Sequence, residues 1–202
     1  MIKIAVLVSG GGTNLQALID AEQAGILHSG KISLVVSNAS GAYALERAKK
    51  AGIPTETLLK KQLGGQAPFE EKLHEVLQSY GIDVIILAGF MTILTESFTS
   101  KYPRRILNVH PALIPSFCGE GFYGLRVHQA ALDYGVKVTG ATVHFVNEIP
   151  DGGEIIAQKA VDILPGDTPE TLQRRVMEQA EWVLLPRAAE TVCAELLGGN
   201  AK

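Results

Sequence analysis

The chain has no apolar run of eighteen or more residues, so it offers no membrane-spanning helix. It has no excess of basic charge: the net charge is −3 and the pI about 6.0, which is not the footprint of a nucleic-acid binder. Cysteine is scarce. Cys118 and Cys193 lie far apart, form no metal-binding spacing and no disulfide framework, and fit a reducing, cytoplasmic compartment. Repeats, low-complexity tracts and linkers are also missing. With 202 residues, 47% of them hydrophobic, the chain is sized for one domain with one core.

Apolar runs rich in β-branched residues alternate with stretches of helical periodicity. Strands are expected over Ile2–Ser9, Ile32–Val36, Thr55–Leu59, Val84–Leu87 and Arg105–Val109. Helices are expected over Asn14–Ala24, Tyr43–Ala51 and Pro68–Tyr80, the last two closed by Gly52 and Gly81. This order predicts right-handed βαβ units: an α/β, doubly wound, mostly parallel sheet with helices on both faces. After His110 the pattern changes. Pro111–Gly124 reads as an irregular loop and Val127–Tyr134 as a helix opened by His128. Val138–Val146 and Glu154–Ile163 read as a hairpin turning at Asp151-Gly152-Gly153. A C-terminal helix over Thr168–Leu197 is expected to start from an Asp167 cap with Glu170 in a capping box, and to be interrupted or kinked at Pro186.

Three segments carry chemistry. Ser9-Gly10-Gly11-Gly12-Thr13-Asn14 joins the first strand to the first helix, where glycines let the backbone approach a ligand and free amides attract an anion. The loop lacks the Lys-Ser/Thr of a P-loop. Leu15 stands where a dinucleotide fingerprint needs its third glycine, and the second strand ends in Ser37-Asn38 without an acidic residue. The loop therefore reads as a seat for one phosphate on a small molecule; the same glycines also suit a tight turn with no ligand. Phe90-Met91-Thr92-Ile93-Leu94, after Gly89, reads as an apolar ledge for a flat heteroaromatic ring, or else as ordinary core. Asn108, His110 and Asp151 supply an amide, an imidazole and a carboxylate, which can bind a carbonyl oxygen and move a proton. Any one of them alone is more simply a strand-end or turn residue. His144 can point to either face of its strand and reads first as structural, His28 and His74 as surface residues, and Cys118, without a basic neighbour, as no nucleophile.

Taken in order, Ser9–Gln16, Leu87–Met91, Asn108–Pro115, Gly140–Val146 and Asp151–Gly153 resemble the phosphoribosylglycinamide formyltransferase family, the glycinamide ribonucleotide transformylases. Asn108, His110 and Asp151 alone are shared with other users of 10-formyltetrahydrofolate; the Ser-Gly-Gly-Gly-Thr-Asn loop points to this family. The resemblance implies formyl transfer from 10-formyltetrahydrofolate, a co-substrate, to the amine of glycinamide ribonucleotide, with no metal. It implies Asn108, His110 and Asp151 as catalytic, with Asp151 favouring a charged His110. Gly11, Gly12, Thr13, Asn14 and Leu15 would hold the phosphate and ribose, and Phe90–Leu94 with Asn108 the folate. His144 and Glu181 become substrate contacts, Glu181 matching once one residue is inserted.

Residues about 1–100 would form the phosphate-binding half, and about 101–202 the folate-binding and catalytic half. The folate tail would meet Gln66, Lys60 or Lys61, and the loop 116–124 is longer than usual. Small molecules are the expected partners, in a monomer or homodimer. A formyltetrahydrofolate deformylase is the alternative on the same framework; such enzymes usually carry a domain before the first strand, which here begins at residue 2. A non-catalytic phosphosugar or folate module is a further alternative, opposed by the retained trio.

Overall fold

A computed structural model describes residues 1–199. Its elements in chain order are β1 (Ile2–Val8), α1 (Thr13–Gln23), β2 (Gly30–Ser37), α2 (Tyr43–Lys50), β3 (Thr55–Thr57), α3 (Lys60–Leu63), α4 (Gln66–Tyr80), β4 (Val84–Leu87), α5 (Glu96–Thr99), β5 (Ile106–His110), α6 (Leu125–Tyr134), β6 (Val138–Phe145), β7 (Ile155–Asp162), α7 (Pro169–Val176), a π-helical turn (Met177–Glu181) and α8 (Trp182–Leu197). The seven strands form one sheet in the order β3-β2-β1-β4-β5-β6-β7. β1 to β5 run parallel; β6 and β7 are antiparallel. No helix among the described residues is long and apolar enough to cross a membrane.

Strand alternation creates two cores. Ile4, Val6 and Val8 of β1 pack under α1, α2, α7 and α8, while Ala5 and Leu7 pack under α4 and α5. On α4, Phe69, Leu73 and Leu77 recur every four residues and are fully buried. Each side chain so buried is worth about 1.5–3 kcal/mol. Gly81, at φ 65, ends that helix by donating its N–H to the Gln78 carbonyl, while the Ile82 N–H reaches back to the Leu77 carbonyl.

Three local expectations are corrected. The last helix is capped by Thr168, not Asp167, because Pro169 occupies its first turn; the reciprocal partner is Thr171 rather than Glu170. Asp167 instead accepts from both terminal nitrogens of Arg175, at 2.5 and 2.6 Å. The helix runs through Pro186, and its irregularity is the π turn at Met177–Glu181. Pro186 has no N–H for the Trp182 carbonyl, and the widened turn lies directly upstream.

β6 decides which side chains meet across the sheet. Its register with β5 sets Asn108 opposite His144 and His110 opposite Thr142. Leu107 and Val109, with Ala141, Val143 and Phe145, point into the first core. Asn108, His110, Thr142 and His144 therefore share the other face. The second core contains no residue of β6, so this corner of the sheet is not filled by that core.

Candidate active site

β1, β4 and β5 are parallel, so the loops after all three leave from one edge of the sheet. β2 lies on one side of β1 and β4 on the other. Their loops diverge there and open a crevice, the place where open α/β sheets bind ligands. The Met91 N–H donates to Ser9 Oγ across it at 2.8 Å.

The glycine loop bends into α1 through Gly12, at φ 73; a Cβ there would stand 2.6 Å from Ala44 Cβ, so the turn demands glycine. Among the described residues no side chain caps α1. Asn14 Nδ2 donates to Glu181 Oε2 at 2.8 Å. Glu181 is 6% exposed, and burial pushes its carboxyl up, partly offset by that hydrogen bond. Glu181 closes the π turn, which holds one more residue than an α turn. Leu15 is wholly buried, its side chain packed in the first core.

Asn108, His110 and Asp151 converge as their strands and turn require. Asp151 lies in the turn between β6 and β7 at φ 56, a left-handed conformation that Asp tolerates. The turn closes tightly: a Cβ at Gly153 would fall 1.7 Å from the Phe145 carbonyl oxygen. Asp151 Oδ2 stands 3.4 Å from His110 Nδ1 and accepts the Gly119 N–H at 2.9 Å. Asp151 Oδ1 lies 3.6 Å from His144 Nε2 and 3.5 Å from Asn108 Nδ2. His110 Nε2 faces the Phe117 carbonyl at 2.8 Å, so that nitrogen carries a proton, and a second proton on Nδ1 would face Asp151. His144 Nδ1 likewise donates to the Phe145 carbonyl, leaving Nε2 3.2 Å from Asn108 Nδ2.

Burial holds the His110 pKa below the ordinary histidine value; the Asp151 charge and the Phe117 carbonyl oppose this without overcoming it. Asp151 thus pulls His110 toward its charged form, and desolvation is the larger effect. For Asp151 the balance is reversed. Burial is the largest effect and raises its pKa, yet His144, the His110 charge and the Gly119 N–H together hold it below the usual carboxylate range.

A cleft of about 640 Å³ joins this trio to Phe90–Leu94 and to the loop Gly119–Tyr123. In the ledge, Met91 and Ile93 are exposed, Phe90 stacks on Phe69 with centroids 6.4 Å apart, and Leu94 also belongs to the core. The glycine loop and Glu181 do not line this cleft. Thr13 borders a separate cavity of about 420 Å³ with Gln16, Arg47 and Trp182. Gln66 donates its amide N–H groups to Glu70 and to the Ile93 carbonyl. His128 is fully buried, and among the described residues neither ring nitrogen has a partner. Sequence reasoning missed the Phe117 carbonyl and the Gly119 amide, because main-chain contacts leave no residue-type signal.

The formyl transferase family matches residues 2–188. The chain is 44% identical over 186 residues to the phosphoribosylglycinamide formyltransferase of Haemophilus influenzae, covering 92% of this chain and 84% of that protein. It is 45% identical over 193 residues to the trifunctional purine biosynthetic protein adenosine-3 of Gallus gallus, covering 96% of this chain but only 18% of that much longer protein. Among solved structures, glycinamide ribonucleotide transformylase 1 of Symbiobacterium toebii superposes with a TM-score of 0.89 at 41% identity, covering 96% of this chain and 88% of the other. The phosphoribosylglycinamide formyltransferase of Bacillus halodurans does so at 0.89 and 34%, covering 99% and 100%. On this extent of sequence and on a shared fold, the chain belongs to the formyl transferase family.

Proposed function

We propose that the chain is a phosphoribosylglycinamide formyltransferase, moving the formyl group of 10-formyltetrahydrofolate to the amine of glycinamide ribonucleotide in purine biosynthesis. The observation that carries this reading is the convergence of Asn108, His110 and Asp151 in a cleft walled by the Phe90–Leu94 ledge, on the same sheet edge as the glycine loop. The ledge with Asn108 takes the folate. Main-chain N–H groups of Gly11 to Leu15 take the phosphate and ribose, with Glu181, tied to Asn14, beside them. His144 orients Asn108. Residues 1–100 thus hold the phosphate and 101–202 the catalytic trio, with the ledge and Glu181 crossing that division. A cytoplasmic monomer or homodimer completes the reading.

The amine attacks the formyl carbon, and the carbonyl π pair moves onto oxygen. Asn108 donates an N–H to that oxygen; in other acyl transfers one such donor is worth about 3–4 kcal/mol. The surplus amine proton passes through water to Asp151 and on to His110 Nδ1, 3.4 Å away. A His110 that is neutral beforehand is ready to receive it. Collapse restores the carbonyl and breaks the bond to the folate nitrogen, which leaves with the proton from His110. Steady-state assays with both substrates test this: formyl transfer is expected with both present. Release of formate without the amine would make the protein a deformylase, and binding without turnover a non-catalytic module.

A further inference from the structure

We infer that Arg47 is a positioning residue that aims the glycine loop's amides at the substrate phosphate without touching the phosphate itself. The inference rests on the phosphate assignment above. Two carbonyls of the loop are turned toward α2: the Gly10 oxygen accepts the Ala44 N–H at 3.0 Å, and the Gly11 oxygen accepts Arg47 Nε–H at 2.9 Å. In a trans peptide the carbonyl and the next N–H point in opposite directions. Fixing those two carbonyls therefore fixes the N–H groups of Gly11 and Gly12 away from α2.

Arg47 is itself held. Its NH1 donates to Gln16 Oε1 at 3.0 Å, one turn into α1, and its guanidinium lies 5.0 Å above the Tyr43 ring. One planar group thus clamps the loop, the helix it leads into and the helix beside it. It also puts a fixed positive charge behind the amides, where an anion gains from it through the peptide. A lysine ammonium could supply the charge but not a rigid fork with two separate acceptors.

The arrangement separates Arg47 from a residue that only supports the fold. Its effect should follow the phosphate, not the amine or the folate. The test compares glycinamide ribonucleotide with its phosphate-free riboside in wild type, Arg47→Gln and Arg47→Lys. In Arg47→Gln the KM for the ribonucleotide should rise about tenfold, the scale of one charge-assisted hydrogen bond, with kcat nearly unchanged. The inhibition constant of inorganic phosphate should rise by the same factor. The riboside and formylfolate constants should not move, and Arg47→Lys should recover only part of the loss. Equal losses for ribonucleotide and riboside would reduce Arg47 to structural support, and no loss for either would remove it from the site; both overturn the inference. A wild type that does not favour the ribonucleotide over the riboside would instead overturn the phosphate assignment, and the inference with it.

Discussion

Asp151→Asn separates proton chemistry from placement. The substitution keeps the shape of the side chain, and its oxygen can still accept the Gly119 N–H now bonded at 2.9 Å. Asparagine tolerates the left-handed backbone at φ 56 as well as aspartate does. Only the charge is lost. At 3.4 Å from His110 Nδ1, a unit charge in an effective dielectric near 20 is worth about 5 kcal/mol to an imidazolium. His110 is already disfavoured as a cation by burial, so in the variant it loses what opposes that burial. We expect kcat to fall by about 10²–10⁴-fold, the range of one general acid–base group, with both Michaelis constants changed by less than about threefold. An acidic limb of the wild-type pH–rate profile that reports protonation of Asp151 should be absent from the variant. Stopped turnover with both substrates, thermal unfolding and the pH profile together form the assay. An unchanged kcat with a raised KM for the folate would make Asp151 a turn-positioning residue and refute the mechanism.

Gly11→Val should weaken binding of glycinamide ribonucleotide while leaving a folate analogue unaffected, measured by calorimetric titration. A Cβ at Gly11 meets nothing within 4 Å, so the loop keeps its shape, whereas the same change at Gly12 would collide with Ala44. Equal loss for both ligands would mean the loop only supports the fold. His128→Leu should flatten the acid sensitivity of stability. Burial, with the charge of His110, lowers the His128 pKa from 6.5 to about 4, so the unfolded chain takes up its proton first as pH falls. Stability from this residue is full above pH 6.5 and is lost toward pH 4, by about 3 kcal/mol at most. Urea melts at pH 7 and near pH 4 check this, and parallel decline in variant and wild type would refute it.

Strand and helix order, the doubly wound sheet and the chemical segments are legible in the sequence because they rest on local properties. β1 and β4 announce themselves by apolar runs rich in β-branched residues, α4 by its four-residue spacing and a closing glycine, and the Gly10–Gly12 turn by composition. The resemblance to a formyltransferase likewise rests on short ordered motifs. Long-range pairing has no such local signature. That His144 faces Asn108 depends on the register of β6 against β5, and a slip of one residue would turn it into the core. The sign of the His110 shift depends on how deeply packing buries the ring, an effect larger than that of the Asp151 charge beside it in space. The π turn that carries Glu181 to Asn14, and the guanidinium of Arg47 on the far side of the glycine loop, join residues distant along the chain. Residue types supplied the chemistry; only packing decided which groups stand within a few ångströms of one another and how much water remains between them.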